Sequence, residues 1–310
     1  MIGRRAINSL AVFLIVAAAL GAAAADAADS AKMTRGTGTL KLTLGPKDDP
    51  IPLTLAYDWP DTASRCSNLV VVIHGAARNY RDYLNLWRGH AARGGYIVVA
   101  PDFSNATFPG VWRFQMGNVF HATGERKPEA VWAFTVLEQA FQEIRRANKL
   151  TTKTYDIFGH SGGGQFVHRL VLFMPTASFR MAIEANAGWY TMPDLTVAVP
   201  YGLKGAGLTD ADLRRSFSRR LLVLLGEKDN NPNHHSLNRD PGSMAEGPHR
   251  LARGKKFYAT AKALAAKIGA PFDWTIATVP NSGHNPRRMS DAAAAYFAAS
   301  PSGCAAKRTN

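Results

Sequence analysis

Tyr155-Asp156-Ile157-Phe158-Gly159-His160-Ser161-Gly162-Gly163 runs from an apolar strand signal into a turn of small residues around one serine, and the apolar helix signal Gln165 to Phe173 follows. A serine on so tight a strand-to-helix turn has a strained backbone, and glycine on each side removes side chains that would collide with the neighbouring strand and helix. The strain holds the hydroxyl out above the sheet. A glycine-rich helix entry or phosphate-binding turn is the other reading of so short a motif. The strand before it and the helix after it favour a nucleophile.

A serine hydroxyl stays protonated at neutral pH, so attack on a carbonyl needs a base, and imidazole has the right pKa. Among nine histidines, His284 lies in Val279-Pro280-Asn281-Ser282-Gly283-His284-Asn285-Pro286, a turn-rich loop between the last strand signal and the last helix signal. Loops after the C-termini of parallel strands gather on one edge of the sheet, which is also where the serine turn lies. His234 and His235 are the rival bases, read otherwise as polar loop residues. A carboxylate must fix the histidine tautomer. Asp229, in Gly226-Glu227-Lys228-Asp229 after the strand Leu221 to Leu225, gives the chain order Ser, Asp, His. Asp194 competes, and either acid is otherwise a loop cap. The developing oxyanion needs waiting N–H donors. His74-Gly75-Ala76-Ala77, after the strand Leu69 to Ile73, offers one, so Ala76 and Gly162 are assigned to the oxyanion hole and His74 is read as structural.

Outward from these loops the chain alternates strand and helix signals, which argues for a mainly parallel sheet flanked by helices. Thr39 to Leu44 and Ile51 to Tyr57 alternate apolar and polar residues around Gly45-Pro46-Lys47-Asp48-Asp49-Pro50, an antiparallel hairpin. Leu69 to Ile73, Tyr96 to Ala100, Tyr155 to Phe158, Met181 to Ile183, Leu221 to Leu225 and Trp274 to Thr278 read as strands buried on both faces. Tyr80 to Ala92, Pro128 to Ala147, Gln165 to Phe173, Pro248 to Ile268 and Ser290 to Ala299 read as helices, Pro128 suiting a first turn.

Together the serine turn, the acid loop, the histidine loop and the hole segment resemble the α/β-hydrolase superfamily over residues 38–300. The resemblance implies an α/β fold with a mostly parallel sheet of about eight strands, a triad carried by Ser161, Asp229 and His284, and no metal or organic cofactor. Within the superfamily the chain is similar to secreted serine esterases and the poly(3-hydroxyalkanoate) depolymerase-like group. Its hole segment departs from the triple-glycine form of many lipases. The activity so implied is carboxylic-ester hydrolysis through an acyl-enzyme. Amide or peptide hydrolysis by the same triad and a catalytically silent binding protein of the same fold are the alternatives.

At 310 residues, 46% of them apolar, the chain can bury the core of one large domain. Residues 1–25 read as a secretory signal peptide: Arg4 and Arg5, an apolar run from Leu10, then alanines. An uncleaved anchor is the other reading. Residues 26–37 are expected to be a flexible segment, 38–300 the catalytic domain and 301–310 a tail. Loss of Arg4 and Arg5 lowers the net charge from +14 to +12. The basic residues are scattered and form no nucleic-acid module, so a solvated surface is preferred to a nucleic-acid or envelope binder. The expected protein is a periplasmic or secreted monomer acting on small or oligomeric esters, with no specific nucleic-acid partner and no stable membrane span after signal cleavage.

Two cysteines in an oxidising compartment suggest one disulfide. Cys66 precedes the strand at Leu69, and the last helix runs toward that same sheet edge, so Cys66 and Cys304 are expected to pair. The connection of about 35 residues from Asn186 to Arg220 is long for a loop, and 187–220 is read as a partial lid between strands 6 and 7. Its Trp189 and Tyr190 are expected to bind substrate, or else to anchor the lid on the core.

Overall fold

Each of the six unbroken apolar runs forms a strand. The computed structural model describes residues 30–298. The expected signal segment, the tail and the Cys304 half of the expected disulfide lie outside the described residues. The strands are β1 (Gly36–Leu44), β2 (Ile51–Trp59), β3 (Leu69–Ile73), β4 (Ile97–Asp102), β5 (Tyr155–His160), β6 (Phe179–Ala185), β7 (Leu221–Gly226) and β8 (Trp274–Val279). They form one sheet in the order β1-β2-β4-β3-β5-β6-β7-β8. The hairpin β1–β2 is antiparallel with Leu44 opposite Ile51, and β2 joins β4 antiparallel. From β4 to β8 every pairing is parallel. β3, β5 and β7 are buried at every position, as strands covered on both faces must be. β8 departs from that expectation: only Trp274 is buried, because the strand closes the sheet on one side and has a single neighbour.

The helices are α1 (Tyr80–Gly94), the short α2 (Gly110–Arg113), α3 (Ala133–Ala147), α4 (Gly162–Phe173), α5 (Asp210–Phe217), α6 (Pro241–Glu246), α7 (Arg250–Lys267) and α8 (Pro286–Ala298). On one face, Trp87 of α1 meets Phe297 of α8 and gives its indole N–H to Ser290 at 3.1 Å. The other face carries α3, α4, α5 and α7. α3 shows why: Phe134, Leu137, Ala140, Phe141 and Ile144 recur at helical spacing and all are buried. Pro128 caps a separate 3-10 turn, Glu129–Val131, and α3 begins only after Trp132, whose ψ of 142° is extended.

The connection 187–220 is less of a cover than its length suggests. α5 starts with a capping box from Thr209 to Asp212 and buries Leu213 and Phe217, so its second half belongs to the core layer. Among the described residues no helix is long and apolar enough to cross a membrane.

Candidate active site

Ser161 sits between β5 and α4 with φ 57° and ψ −116°, a strained conformation for any residue with a side chain. Its N–H is held by the Ala185 carbonyl at 2.9 Å. The neighbouring glycines are sterically required. A Cβ on Gly159 would lie 2.1 Å from Gly163 O, and one on Gly163 would lie 2.3 Å from Ile73 O. The turn is therefore clamped between β3 and β6 with its hydroxyl outward.

His284 meets both of its expected neighbours. Its Nδ1 lies 2.7 Å from Asp229 Oδ2 and its Nε2 lies 3.0 Å from Ser161 Oγ. A carboxylate only accepts, so Nδ1 carries the proton and the Nε2 lone pair faces the serine hydroxyl. Asp229 is 3% exposed, and its Oδ1 accepts from Arg250 Nη1 at 3.3 Å. Arg250 is itself buried and also donates to Ser236 Oγ at 3.0 Å. Sequence reasoning missed Arg250, since an arginine opening a helix reads as surface charge.

Asn186 was also missed as anything but the start of a loop. Fully buried with φ 48°, it accepts from Gly226 N–H at 2.7 Å and donates to Gly283 O at 3.2 Å. It thereby ties the acid loop to the residue before His284.

The rival residues have other partners. His234 holds Ser236 and stands edge-on to His284, with ring centroids 5.6 Å apart, and His235 lines the cleft; neither is bonded to Ser161. Asp194 accepts from the N–H and hydroxyl of Thr196, capping its own turn, and these bonds hold its carboxyl below the usual range.

Ala76 N lies against Gly162 at the serine turn. A Cβ built on Gly162 would stand 2.9 Å from Ala76 N, and among the described residues neither N–H has an acceptor. His74 holds the segment. Its Nε2 accepts from Phe103 N–H at 3.1 Å, so its Nδ1 is the protonated nitrogen, 2.9 Å from Gly75 O. Burial pushes this imidazole down to about 4 and keeps it neutral. His160, beneath His284 with ring centroids 4.6 Å apart, is held neutral by burial first and by His284 and Arg250 next. Its Nδ1 shares a hydrogen bond with Tyr83 OH at 2.9 Å.

These groups open on a cleft of about 620 Å³. Of the 187–220 connection only Gly188 and Trp189 line it, and residues 235–238, a segment the sequence left as loop, line it too. Trp189 is 6% exposed, with the Arg169 guanidinium 4.1 Å from its ring and Tyr201 at 5.0 Å. Tyr190 does not reach the cleft, and its expected contact with substrate is corrected here. Fully buried, it stacks on Phe257 at 4.6 Å and donates its hydroxyl to Glu184 Oε1 at 3.0 Å. The chain bends at Gly188 and Trp189, so a ring that lines the cleft stands beside one that anchors. Trp189→Ala is expected to cost about 3–5 kcal/mol of stability. KM for bulky esters should change by less than about tenfold, since one extra group in an apolar pocket contributes only about 1–3 kcal/mol. Thermal melts beside an ester chain-length series check both.

Below the cleft, burial pushes Glu184 up to about 8 against an opposing bond from Tyr190. The unfolded chain ionises this carboxyl near its ordinary value of 4.5, so the folded state binds more protons between pH 4.5 and 8. This stabilising contribution is complete below pH 4.5 and is lost as the pH rises through 8. Glu184→Gln, which retains the acceptor for Tyr190, should therefore gain Tm over wild type as pH rises. The gain should be small at pH 5 and roughly 2 °C or more at pH 9. A constant difference across that range would show that Glu184 does not titrate in the window.

Among the described residues no group of three or more His, Cys, Asp or Glu side chains could hold a metal ion.

The chain is similar to poly(aspartic acid) hydrolase-1 from Sphingomonas sp. KT-1, with 39% identity and a TM-score of 0.81 over 85% of this chain and 98% of that one. It is similar also to LpqC, a poly(3-hydroxybutyrate) depolymerase from Bordetella parapertussis, with 34% identity and a TM-score of 0.79 over 85% and 89%. An S-formylglutathione hydrolase from Agrobacterium tumefaciens, at 16% identity and a TM-score of 0.53 over 86% and 95%, shares the fold. No family model and no curated protein matches the chain.

Proposed function

The chain belongs to the α/β-hydrolase superfamily, among the serine hydrolases of its depolymerase-like esterase group, and from that premise we propose that it is an exported carboxylic-ester hydrolase working through Ser161, His284 and Asp229. The observation that carries this reading is the unbroken hydrogen-bonded chain from Ser161 Oγ through His284 to Asp229. Ser161 Oγ attacks the ester carbonyl as His284 Nε2 takes its proton. The carbonyl oxygen becomes an oxyanion between Ala76 N–H and Gly162 N–H. Collapse breaks the carbonyl–alkoxy bond, and His284 returns the proton to the departing alcohol. Water then attacks the acyl-enzyme by the same route, which frees the acid and restores the serine. Asp229 holds the tautomer, and Arg250 holds Asp229.

A second reading has its own support. Poly(aspartic acid), the substrate in the name of the 39% identical protein, is an anionic polyamide. This chain carries +14, and a second cleft of about 430 Å³ is lined by Arg113, His121 and Lys127 with Asp49 as its one acid. In this reading the leaving group is an amine and the substrate is drawn by charge.

One panel separates the two: p-nitrophenyl esters of graded length, 3-hydroxybutyrate oligomers and poly(aspartic acid), each at low and high salt. Turnover of uncharged esters with little salt dependence supports the ester reading. Preference for poly(aspartic acid) that fades with salt supports the other, because exposed charges are screened within about 10 Å at 0.1 M. Failure of a fluorophosphonate probe to label folded protein at Ser161 would overturn both. The export proposal rests on the first 25 residues, and the bridge on Cys66 and Cys304. The unreduced mass of the protein recovered outside the cytoplasm tests both, for cleavage after Ala25 or Ala27 and for the absence of two free thiols.

A further inference from the structure

Between α2 and the 3-10 turn at Glu129–Val131 the chain forms no helix and no strand of the sheet, yet it is tightly held. Met116 N–H bonds Val111 O at 3.0 Å, Gly117 N–H bonds Phe114 O at 2.8 Å, and Ala133 N–H bonds Gly117 O at 2.8 Å. Phe114 and Met116 are fully buried. Gln115, between them, lines the cleft beside Ser161 and is 7% exposed. Its main-chain carbonyl accepts from Arg169 Nη1 at 3.2 Å, a buried guanidinium that also donates to the Gln165 carbonyl at 3.3 Å, in the first turn of α4. Gln115 is thus fixed to the same helix whose N-terminus carries the nucleophile.

Among the described residues the side chain itself has no hydrogen-bond partner. Gln115 Oε1 is buried without a donor, and among the described residues Nε2 has no acceptor. Buried amides are normally paired at both ends, so an amide left free at a reaction centre calls for a cause. The position of Nε2 supplies one. A Cβ built on Gly162 would lie 3.3 Å from Gln115 Nε2 and 2.9 Å from Ala76 N. The amide nitrogen and Ala76 N therefore approach Gly162 on the same side, next to the two main-chain N–H groups assigned to the oxyanion hole.

We propose that Gln115 is a third donor of that hole, giving a side-chain N–H to the oxyanion as it forms. The assignment rests on the Ser161 mechanism above. The amide of a glutamine carries two N–H donors and no charge. It would bind the neutral carbonyl weakly and the oxyanion strongly, which is the condition for raising kcat rather than lowering KM. With no acceptor among the described residues, the donor loses no internal bond when the charge appears.

The test compares Gln115→Met, which keeps length and burial without donors, with Gln115→Glu, which keeps shape but places a carboxylate at the oxyanion. Loss of a side-chain oxyanion donor lowers kcat by about 10²- to 10³-fold. Gln115→Met should show a loss of that size with KM within about threefold. Affinity for a trifluoromethyl ketone, whose adduct carries the oxyanion, should fall by a similar factor. Gln115→Glu should lose more at neutral pH, and its activity relative to wild type should recover as the pH falls, because a protonated carboxyl can donate. Thermal melts establish that each variant is folded. If Gln115→Met does not fold, the pH-dependent recovery of Gln115→Glu decides alone. Unchanged kcat with raised KM, or no change at all, overturns the assignment of Gln115 and leaves the triad standing. A wild-type protein that neither turns over esters nor reacts with a fluorophosphonate overturns the triad instead.

Discussion

Ser161→Ala should lower kcat on a p-nitrophenyl ester by about a million-fold, and His284→Ala by nearly as much, because nucleophile and base act as one unit. The double variant should then be no worse than either single one. In the structure a single hydrogen bond of 3.0 Å joins the two, so removing either side chain leaves the other with no proton to give or take. Some rate above the uncatalysed reaction should survive, about 10³- to 10⁴-fold, from the N–H groups of the hole and from binding. Folding should be spared. Alanine has the same difficulty as serine at φ 57°, so Tm should stay within a few degrees, whereas Ser161→Gly should be more stable for relief of that strain. Initial rates corrected for burst amplitude, set beside thermal melts, decide the matter. Losses that multiply in the double variant would mean that Ser161 and His284 act separately.

The sequence reached the three residues of this chain because each sits at a position that local pattern defines. Ser161 follows a strand and opens a helix, and Asp229 and His284 follow the next strands but one and two. A parallel sheet brings such loops to one edge, so their order along the chain already implies their meeting in space. What was not legible shares the opposite property. Asn186 joins Gly226, 40 residues on, to Gly283, 97 residues on, through a side chain that any turn could carry. Arg250 reaches Asp229 across 21 residues from a helix rich in other cations. Gln115 lies in an aperiodic stretch, where apolar spacing says nothing about direction. Trp189 and Tyr190 show the same boundary at close range. Adjacent aromatic residues predict burial, but the partners that hold Tyr190 inward, the Glu184 carboxyl and the Phe257 ring, are out of sight in β6 and α7.

Asp229→Asn should lower kcat by about 10⁴-fold with the fold intact. The geometry around the acid gives the reason. An asparagine can turn either its oxygen or its NH₂ toward His284, and the choice belongs to Arg250. That guanidinium donates to Asp229 Oδ1 at 3.3 Å and is buried, with no other acid bonded to it among the described residues. An amide placed there must offer its oxygen to Arg250, since NH₂ against guanidinium sets donor against donor. The NH₂ is then left facing His284 Nδ1, where it can only donate. Nδ1 must give up its proton, the imidazole proton moves to Nε2, and Nε2 meets Ser161 Oγ as a donor. The base is present, well placed and in the wrong tautomer. Asp194→Asn should leave the rate within about twofold, because its carboxylate serves only its own turn at Thr196. Nitrogen NMR of the His284 ring reads the tautomer directly, with the protonated nitrogen changing from Nδ1 to Nε2 in Asp229→Asn. A full-rate Asp229→Asn together with a crippled Asp194→Asn would move the acid role to Asp194.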